Sequence, residues 1–403
     1  MARILIAGGS LGGLLAANML LREGHEVQLL EKATGSLDGR GAGIVTHAAL
    51  NRGLARAGVT VDDSLGVRIA SRVVLDAAGE AVASLALPQV LTSWSRLYTL
   101  LHEAFPAERY LQGRAVQGIE QAAGGVRVSC ESGERFEADL LIASDGIRSA
   151  VRAQCAPEVQ PQYAGYIAWR GVCDEALLSR FTLSSVFEQF GFGLPAGEQL
   201  IGYPVAGSGN ATARGRRRYN FVWYRAADEQ TGLRDLLTDA DGDHHPLGIP
   251  PHKVSWRQVA AMRESARALL APQFAEIIEK TAQPFLQPIY DVHSERLAFG
   301  RVALMGDAAF VARPHVGMGV TKAAEDAMAL ADSIREHGAT AAALRAFEAA
   351  RLPPGQAVVQ RARRLGAYMQ AQGQDHGQPG TEARRDAETV LRETAIDPEH
   401  PPT

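Results

Sequence analysis

The chain has 403 residues, of which 46% are hydrophobic and 21% are charged, and its formal net charge at pH 7 is −4. This length allows two or three domains' worth of buried core, while the charge excludes the strongly basic surface of a nucleic-acid-binding protein, and no run of about 18 apolar residues predicts a membrane span. The three scattered cysteines match neither a disulfide framework nor a metal-ligand spacing, so we expect a metal-free cytoplasmic protein.

The first predicted elements form a βαβ unit. Residues 3–7 are a short apolar run followed by glycine, which predicts a buried parallel strand. Apolar residues recur at helical spacing over 14–21, and Gly24 stands where a helix usually ends. Residues 26–30 predict a second strand. We therefore expect an α/β fold with a Rossmann-like domain, in which helices layer a mostly parallel sheet.

The turn "GGSLGG" (8–13) joins the first strand to the helix. Free N–H groups at a helix N-terminus attract a pyrophosphate, Gly8 permits the tight turn, and Gly13 permits close packing of helix on strand. Ser10 replaces the usual second glycine but is small and can donate its hydroxyl to a phosphate. Glu31 ends the second strand, where an acid accepts hydrogen bonds from a ribose. The predicted dinucleotide-binding residues are Gly8, Ser10, Leu11, Gly12, Gly13, Glu31 and Lys32. By itself the turn fits NAD or FAD.

Two later stretches have sequence patterns that indicate parts of the same nucleotide domain. Residues 136–152 are an apolar strand that ends in Asp145-Gly146, and 300–334 are an apolar strand that ends in Gly306-Asp307, before a Pro/Gly-rich turn and a long helix. A further helix is predicted over 97–105 and helical structure over 339–369. The nucleotide domain is therefore predicted to be discontinuous.

The intervening segments are rich in aromatic and β-branched residues, which predicts an antiparallel sheet. They are "YAGYIAWRGVC" (163–173), residues 185–205, and "RYNFVWYR" (218–225). We predict three nucleotide-binding parts, at 1–75, 106–160 and 291–369, the last of which includes the C-terminal helices. A substrate-side segment is predicted at 76–105 and a substrate-binding sheet at 161–290. The tail at 370–403 is predicted to be loosely ordered.

The paired motifs Asp145-Gly146, with Ser149 and Arg152, and Gly306-Asp307, with "AAFVARPHVGMG", resemble fingerprints of a known family. Together with the glycine turn and Glu31, they are similar to the single-component FAD monooxygenases of the para-hydroxybenzoate hydroxylase type. The resemblance runs from about residue 2 to residue 365. It implies non-covalent FAD, NADH or NADPH as a transient electron donor, O2 as co-substrate, and possible homodimers.

Smaller features resemble the branch of that family that hydroxylates pyridines. They are "QYAGYIAWRGV" (162–172), "LIGYP" (200–204), Ser10, and the stretch from Gly306 to His315. Phe310 stands where the family often has His, and Arg313-Pro314 replaces a Pro-Pro pair. These departures point away from the para-hydroxybenzoate branch.

The resemblance implies further contacts with FAD. Asp307 would hydrogen-bond the ribityl or ribose hydroxyls, and Gly317 and Gly319 would let backbone amides reach the flavin pyrimidine edge and the pyrophosphate. "GAGI" (41–44) resembles another flavin-side segment, and Arg96 matches a flavin-contacting arginine. Beyond the first turn, the implied cofactor residues are Gly43, Ile44, Arg96, Asp145, Arg152, Gly306, Asp307, Pro314, Gly317 and Gly319.

The implied function is hydroxylation of an electron-rich, hydroxylated aromatic or N-heteroaromatic ring by a flavin C4a-hydroperoxide. Substrate contacts are expected from Phe192, Tyr203, Asn220 and Tyr224 on the aromatic sheet. His47, Tyr203 and His315 are candidate catalytic groups, since histidines can act as bases near pH 7. Each of these is also compatible with a core aromatic or a surface histidine. An FAD-dependent reductase that inserts no oxygen, and a silent FAD-binding protein, remain alternatives.

Overall fold

The computed structural model describes residues 1–35, 37, 43–246, 248–369 and 386–402. Its strands are β1 (Arg3–Ala7), β2 (Glu26–Glu31), β3 (Gly43–Val45), β4 (Val67–Leu75), β5 (Ala81–Ser93), β6 (Tyr110–Gln112), β7 (Val116–Ala122), β8 (Gly125–Cys130), β9 (Arg135–Ala138), β10 (Leu140–Ala143), β11 (Gln162–Asp174), β12 (Phe190–Gly193), β13 (Gln199–Val205), β14 (Arg218–Ala226), β15 (Phe285–His293), β16 (Ala298–Phe299), β17 (Val302–Leu304) and β18 (Phe310–Val311). Its α-helices are α1 (Leu11–Arg22), α2 (Ala48–Arg56), α3 (Trp94–Glu103), α4 (Ala150–Cys155), α5 (Arg180–Thr182), α6 (Gly232–Leu236), α7 (Trp256–Leu269), α8 (Pro272–Lys280), α9 (Gly319–His337), α10 (Ala341–Gly366) and α11 (Ala387–Glu393). Within these ranges, no helix is both long and apolar enough to cross a bilayer.

The first sheet carries the nucleotide motifs. Among the described residues its strand order is β16-β17-β10-β1-β2-β6, and β17, β10, β1, β2 and β6 run parallel. Ile4 pairs with both Leu140 and Val27, so strands distant in sequence are neighbours. The carboxyl ends of parallel strands share one edge of a sheet, and this edge therefore brings together the turns after β1, β10 and β17. The predicted α/β fold with a discontinuous Rossmann-like domain is confirmed.

The second sheet is the predicted aromatic sheet, and it is larger than expected. Within the described residues its order is β18-β15-β11-β14-β13-β12-β4-β5-β3, and its pairs are antiparallel except β12 with β4. Both β3 and β4 belong to it, although residues 1–75 were assigned to the nucleotide domain. The reason is that β4 pairs along its length with β5 and, from Arg72 to Leu75, with β12, and these pairings cannot be read from local pattern.

The C-terminal segment differs from the loosely ordered tail expected over 370–403. Residues 370–385 lie outside the described residues, whereas 386–402 form α11 and a following turn. Val390, Leu391 and Ile396 are buried, so the expectation is wrong for this part of the tail. Its polar, proline-rich composition concealed a few apolar residues, of which Val390 and Leu391 pack against the second sheet.

Candidate cofactor and substrate site

The turn after β1 forms a cradle without side chains. Gly8 has φ +102°, and a Cβ there would lie 2.2 Å from the Ser144 carbonyl oxygen. A Cβ on Gly13 would lie 1.9 Å from the Gly8 carbonyl oxygen, because α1 packs directly on the turn. Ser10 is the N-cap of α1, yet its side chain caps no N–H. The polarised N–H groups at the start of this helix are therefore not capped by the Ser10 side chain.

A cavity of about 480 Å³ lies beside this turn and includes several predicted cofactor residues. Its lining contains Gly8, Ser10, Glu31, Lys32 and Asp145. Leu11 and Gly12 begin α1 and pack inward, since Leu11 is buried and a Cβ on Gly12 would lie 2.7 Å from the Ser144 hydroxyl oxygen.

Glu31 lines this cavity and holds two backbone segments beside it. Its Oε2 accepts the Gly9 N–H at 2.8 Å, and its Oε1 accepts the Ala33 N–H at 2.8 Å. A carboxylate has about four acceptor positions, so both oxygens retain capacity for ribose hydroxyls. The acid thus holds the glycine turn and remains available to a ligand.

The turn after β10 is braced by Arg152. This buried guanidinium donates to the carbonyls of Val159 at 3.2 Å and Ala308 at 2.8 Å, and also to the carbonyl of Ile147. It therefore ties α4 to the turn that carries Asp307. The predicted bracing role fits these contacts, although Arg152 itself contacts protein carbonyls and lines neither the cavity beside Gly8 nor the one described below.

Asp145 faces the cavity beside Gly8. Its Oδ2 accepts the Val151 N–H at 3.3 Å, whereas its Oδ1 is buried with no partner among the described residues. Desolvation raises the pKa of this carboxyl, opposed by hydrogen bonds from Ser149 and nearby backbone. A buried acceptor without a donor is costly, so this atom suits a ligand hydroxyl.

A second cavity, which we call the ring cavity, has a volume of about 280 Å³ and lies where the turn after β17 meets the second sheet. Its lining includes Gly43, Ile44, Tyr203, Tyr224, Asp307, Pro314, Gly317 and Gly319. The segment 145–148 contributes to both cavities, with Asp145, Gly146 and Arg148 in the first and Ile147 in the second. An elongated dinucleotide can therefore span them.

Asp307 is exposed to the ring cavity although it lies deep in the molecule. Desolvation by the surrounding protein raises the pKa of its carboxyl, while the charge of Lys322 lowers it. Gly306 precedes it with φ +58° and donates its N–H to Asp326 Oδ2 at 3.0 Å, which fixes the turn. The N-terminus of α9, beginning at Gly319, opens on the same cavity with no capping side chain.

These features fit FAD. Two helix N-termini, those of α1 and α9, lie at the two cavities, and each has glycines in its first turn or just before it, as binding of pyrophosphate and flavin carbonyl groups requires. Glu31, Asp145 and Asp307 supply acceptors for hydroxyl groups along the way. At Gly8 and Gly13 a side chain would collide with neighbouring backbone, so glycine is required there.

Two predicted flavin contacts have different surroundings. The Arg96 guanidinium donates to the Ser64 hydroxyl at 2.8 Å and lines neither cavity, so the structure does not bring it to the cofactor site. Gly43 donates its N–H to Asn220 Oδ1 at 3.2 Å, and a Cβ on Gly43 would lie 2.3 Å from Tyr203 Cε2. The first two residues of "GAGI" lie outside the described residues.

The aromatic sheet supplies the far wall of the ring cavity. Tyr203 and Tyr224 line it as predicted, but Phe192 and Asn220 do not. Phe192 stacks behind Phe190, with ring centroids 5.0 Å apart, and Asn220 is fully buried against Gly43. These two side chains therefore lie behind the cavity wall, where they pack against residues that line it. Residues that the sequence prediction missed include Phe190, Ile201 and Val222. Ile201 and Val222 lie two positions before Tyr203 and Tyr224, and therefore on the same faces of their strands.

Neither predicted histidine base lies in the ring cavity. The His315 ring is buried, with Nε2 2.8 Å from the Tyr166 hydroxyl and Nδ1 3.2 Å from Gln199 Oε1. His47 places Nδ1 3.1 Å from the Thr321 hydroxyl and lines a separate cavity, and burial lowers its pKa. Packing directs both imidazoles toward protein partners, so the structure does not place either one against a ring in this cavity.

Arg170 is the functional candidate that sequence reasoning passed over. Of the described residues that line the ring cavity, Arg170 and Asp307 are the ones that carry charge. The Arg170 guanidinium has one hydrogen-bond acceptor among the described residues, Gln287 Oε1 at 2.7 Å, and its Nε is buried without a partner. It lies within the "WRGV" stretch, whose strand period could have indicated the direction of its side chain.

Comparison with known proteins shows which family this chain belongs to. A family model described as the FAD binding domain matches residues 1–182 and 251–362, and one described as FAD binding domain-like matches 163–291. The chain belongs to this FAD-binding family, and it is a flavoprotein monooxygenase that uses FAD, NAD(P)H and O2.

Individual relatives are more specific. The 2,6-dihydroxypyridine 3-monooxygenase of Paenarthrobacter nicotinovorans is 32% identical over 372 residues, covering 92% of each chain. The solved structure of 2,6-dihydroxypyridine-3-hydroxylase from Arthrobacter nicotinovorans has a TM-score of 0.86 and 31% identity, covering 95% of each chain. Klebsiella pneumoniae HpxO complexed with FAD and uric acid shares the fold, with a TM-score of 0.74 at 24% identity, over 92% of this chain and 89% of that one. The predicted resemblance to aromatic hydroxylases is confirmed.

Proposed function

We propose that this enzyme hydroxylates the anion of a hydroxylated N-heteroaromatic ring such as a dihydroxypyridine. The observation that carries this proposal is Arg170, a guanidinium with spare donors in the wall of a small cavity lined by aromatic side chains. Hydrogen bonds to a charged partner are stronger than neutral ones, so an anionic oxygen is the preferred ligand. The similarity to a dihydroxypyridine monooxygenase supports the same class of ring.

The residues of the two cavities would divide the work as follows. The turn at Gly8–Gly13, with Glu31 and Asp145, would hold the adenosine and pyrophosphate, and Asp307 with the N-terminus of α9 would hold the flavin end. FAD, when bound, supplies hydride acceptance from NAD(P)H and the activation of O2. The chain itself binds and orients the ring and excludes water.

Arg170 would replace a general base. Its positive charge favours the deprotonated hydroxyl of the ring and so lowers the pKa of that hydroxyl in the site. An anionic oxygen enriches the ring carbons in electrons, which is what electrophilic oxygen insertion requires. Since both histidines lie elsewhere, the proton of the hydroxyl leaves to solvent before or during binding.

Tyr203 would act as a neutral donor. Burial raises the pKa of its phenol to about 12, so it stays protonated over the working pH range. Tyr203→Phe should lower kcat/KM by about fivefold, the value of one neutral hydrogen bond, without shifting the pH profile. Steady-state kinetics from pH 6 to pH 10 test this, and an altered alkaline limb would show instead that Tyr203 titrates in the mechanism.

One assay tests the function itself. Purified FAD-loaded enzyme is given NADH or NADPH, a panel of hydroxypyridines and phenols, and ¹⁸O-labelled O2. We expect nicotinamide oxidation stimulated by hydroxypyridines, with one labelled oxygen atom in the product. Stimulated oxidation that yields only hydrogen peroxide with every ring would contradict the proposed substrate class. The 2,6-dihydroxypyridine 3-monooxygenase and the 2,6-dihydroxypyridine-3-hydroxylase described above are both named for oxygen insertion, which favours that reaction over the reductase left open by the sequence.

We also propose a cytoplasmic homodimer. All three cysteines are free thiols, two of them buried, which suits a reducing compartment. The homodimer is an expectation from the family alone. Sedimentation equilibrium of the FAD-loaded enzyme would show twice the monomer mass of 43.0 kDa.

A further inference from the structure

The C-terminal segment 386–397 returns to the ring cavity after α10. Asp386 caps α11 by accepting the Thr389 N–H at 2.8 Å, and Val390 and Leu391 are buried against the second sheet. The chain then turns at Ala395, which is 4% exposed and forms part of the cavity lining. A segment distant from every cofactor motif thus forms part of the wall.

Ala395 is fitted to the turn that carries the flavin-side glycines. Its φ is +50°, unusual for a residue other than glycine, and it donates its N–H to the His315 carbonyl at 2.8 Å. Gly317 opposite has φ +65°, and a Cβ there would lie 2.7 Å from Ala395 Cβ. The two left-handed residues therefore pack with no room for an additional carbon between them, and both face the ring cavity.

Arg72 holds the segment in this position. It is fully buried on β4, and its Nη1 donates to the carbonyls of Leu391 at 3.0 Å and Thr394 at 2.6 Å, while Nη2 donates to the carbonyl of Ala395 at 2.9 Å. The remaining N–H groups bond Gln89 Oε1 at 2.9 and 2.7 Å. All five donors are used, and the cation satisfies carbonyls at the end of α11, where a positive charge is favourable.

Arg72 also supports a second part of the wall. Its Cζ lies 4.8 Å from the centroid of the Phe190 ring, within the range of a cation–π contact. Phe190 lines the ring cavity, on the strand next to Arg72. One buried guanidinium therefore connects the aromatic wall with the C-terminal wall. The segment has further ties: the Ala48 N–H donates to Asp397 Oδ2 at 2.9 Å, and the ion pair of Arg52 with Glu399 at 2.6 Å is exposed and contributes little.

We infer that residue 395 determines which ring sizes the cavity accepts, and that Arg72 is the positioning residue that keeps it in the wall. This inference rests on the proposed function only in taking the ring cavity as the substrate site. It predicts that changes at 395 alter the choice among ligands more than they alter FAD binding.

The matched variants are Ala395→Gly and Ala395→Asn, since glycine and asparagine both tolerate positive φ while one removes bulk and the other adds it. Binding is read from the change in flavin absorbance on titrating FAD-loaded, full-length protein with a hydroxypyridine and with a two-ring hydroxyquinoline. We expect Ala395→Asn to weaken the two-ring ligand about tenfold more than the one-ring ligand, and Ala395→Gly to shift the ratio the other way. Ratios within twofold of wild type for both variants, with unchanged FAD content, would overturn the inference.

The positioning role of Arg72 is tested by ligand titration and by limited proteolysis. In an Arg72→Met background the two Ala395 variants should no longer change the ligand ratio, and limited proteolysis should release the C-terminal segment faster than in wild type. Arg52→Ala, at the exposed tie, should leave both measurements unchanged. Persistence of the Ala395 effect together with wild-type protease resistance in Arg72→Met would refute the positioning role.

The same titration separates the two proposals. Ligand binding without hydroxylation by the wild-type enzyme would contradict the proposed function, while a shifted ligand ratio at residue 395 would still support this inference. Failure of the wild type to bind either ring would overturn both, because the ring cavity would then not be the substrate site.

Discussion

Replacing Gly13 by Val should remove FAD from the purified protein. A Cβ at this position would lie 1.9 Å from the Gly8 carbonyl oxygen, a distance that real Cβ contacts do not reach. The helix must therefore move away from the glycine turn, which displaces the N–H groups that would receive the pyrophosphate. Overpacking of this kind costs about 1–3 kcal/mol, so we expect FAD affinity to fall by about 100-fold. Flavin absorbance and fluorescence titration measure the loss.

Two controls accompany this variant. Ser10→Gly should retain FAD, because Ser10 caps no backbone group and glycine restores the usual dinucleotide turn. Gly124→Ala, where nothing lies within 4 Å of the added carbon, should leave FAD content and thermal stability unchanged. Circular dichroism shows whether Gly13→Val remains folded. A folded Gly13→Val protein with wild-type flavin affinity would mean that the cofactor cradle lies elsewhere.

Arg170→Met should raise the dissociation constant of a hydroxypyridine anion by about 10- to 150-fold. The change removes the positive charge in the wall of the ring cavity while keeping an unbranched apolar side chain of similar length. A hydrogen bond to a charged group contributes about 1.5–3 kcal/mol, and each 1.4 kcal/mol corresponds to a factor of ten. FAD content should stay normal, since Arg170 contacts Gln287 and no predicted cofactor residue.

The pH dependence of Arg170→Met distinguishes anion binding from packing. If Arg170 favours the ionised hydroxyl, the variant should bind the ring best at higher pH, where the hydroxyl ionises without help. Arg170→Lys keeps the charge but loses the planar donors, so it should recover part of the affinity. A Met variant with a parallel but lower pH profile would assign Arg170 to shape alone.

Much of the nucleotide domain was predictable because its signals are local. Residues 3–7 and 26–30 have strand patterns, and a glycine turn and a helical pattern lie between them. The structure shows strands at Arg3–Ala7 and Glu26–Glu31 with α1 between them. The Asp145-Gly146 and Gly306-Asp307 motifs follow their strands as expected, and the order β17-β10-β1 brings their turns together at one edge.

The substrate side was less predictable because it depends on which way each side chain turns. Tyr203 and Tyr224 were recognised as aromatic positions on strands, and both line the ring cavity. The positions of His315 and His47 could not be predicted, because an imidazole that can serve as a base is equally suited to a buried hydrogen bond. Packing places them against Tyr166 and Thr321, outside the ring cavity.

The sequence by itself determined that the chain binds a dinucleotide, since the glycines at the start of a helix and the acid at the end of the next strand belong to one βαβ unit. Only the tertiary structure decided the ring cavity. Arg170, Phe190 and Ala395 come from three parts of the chain, and they meet through strand pairing and through the five hydrogen bonds of the buried Arg72. Such long-range contacts leave no local periodicity, because they depend on register and packing between elements.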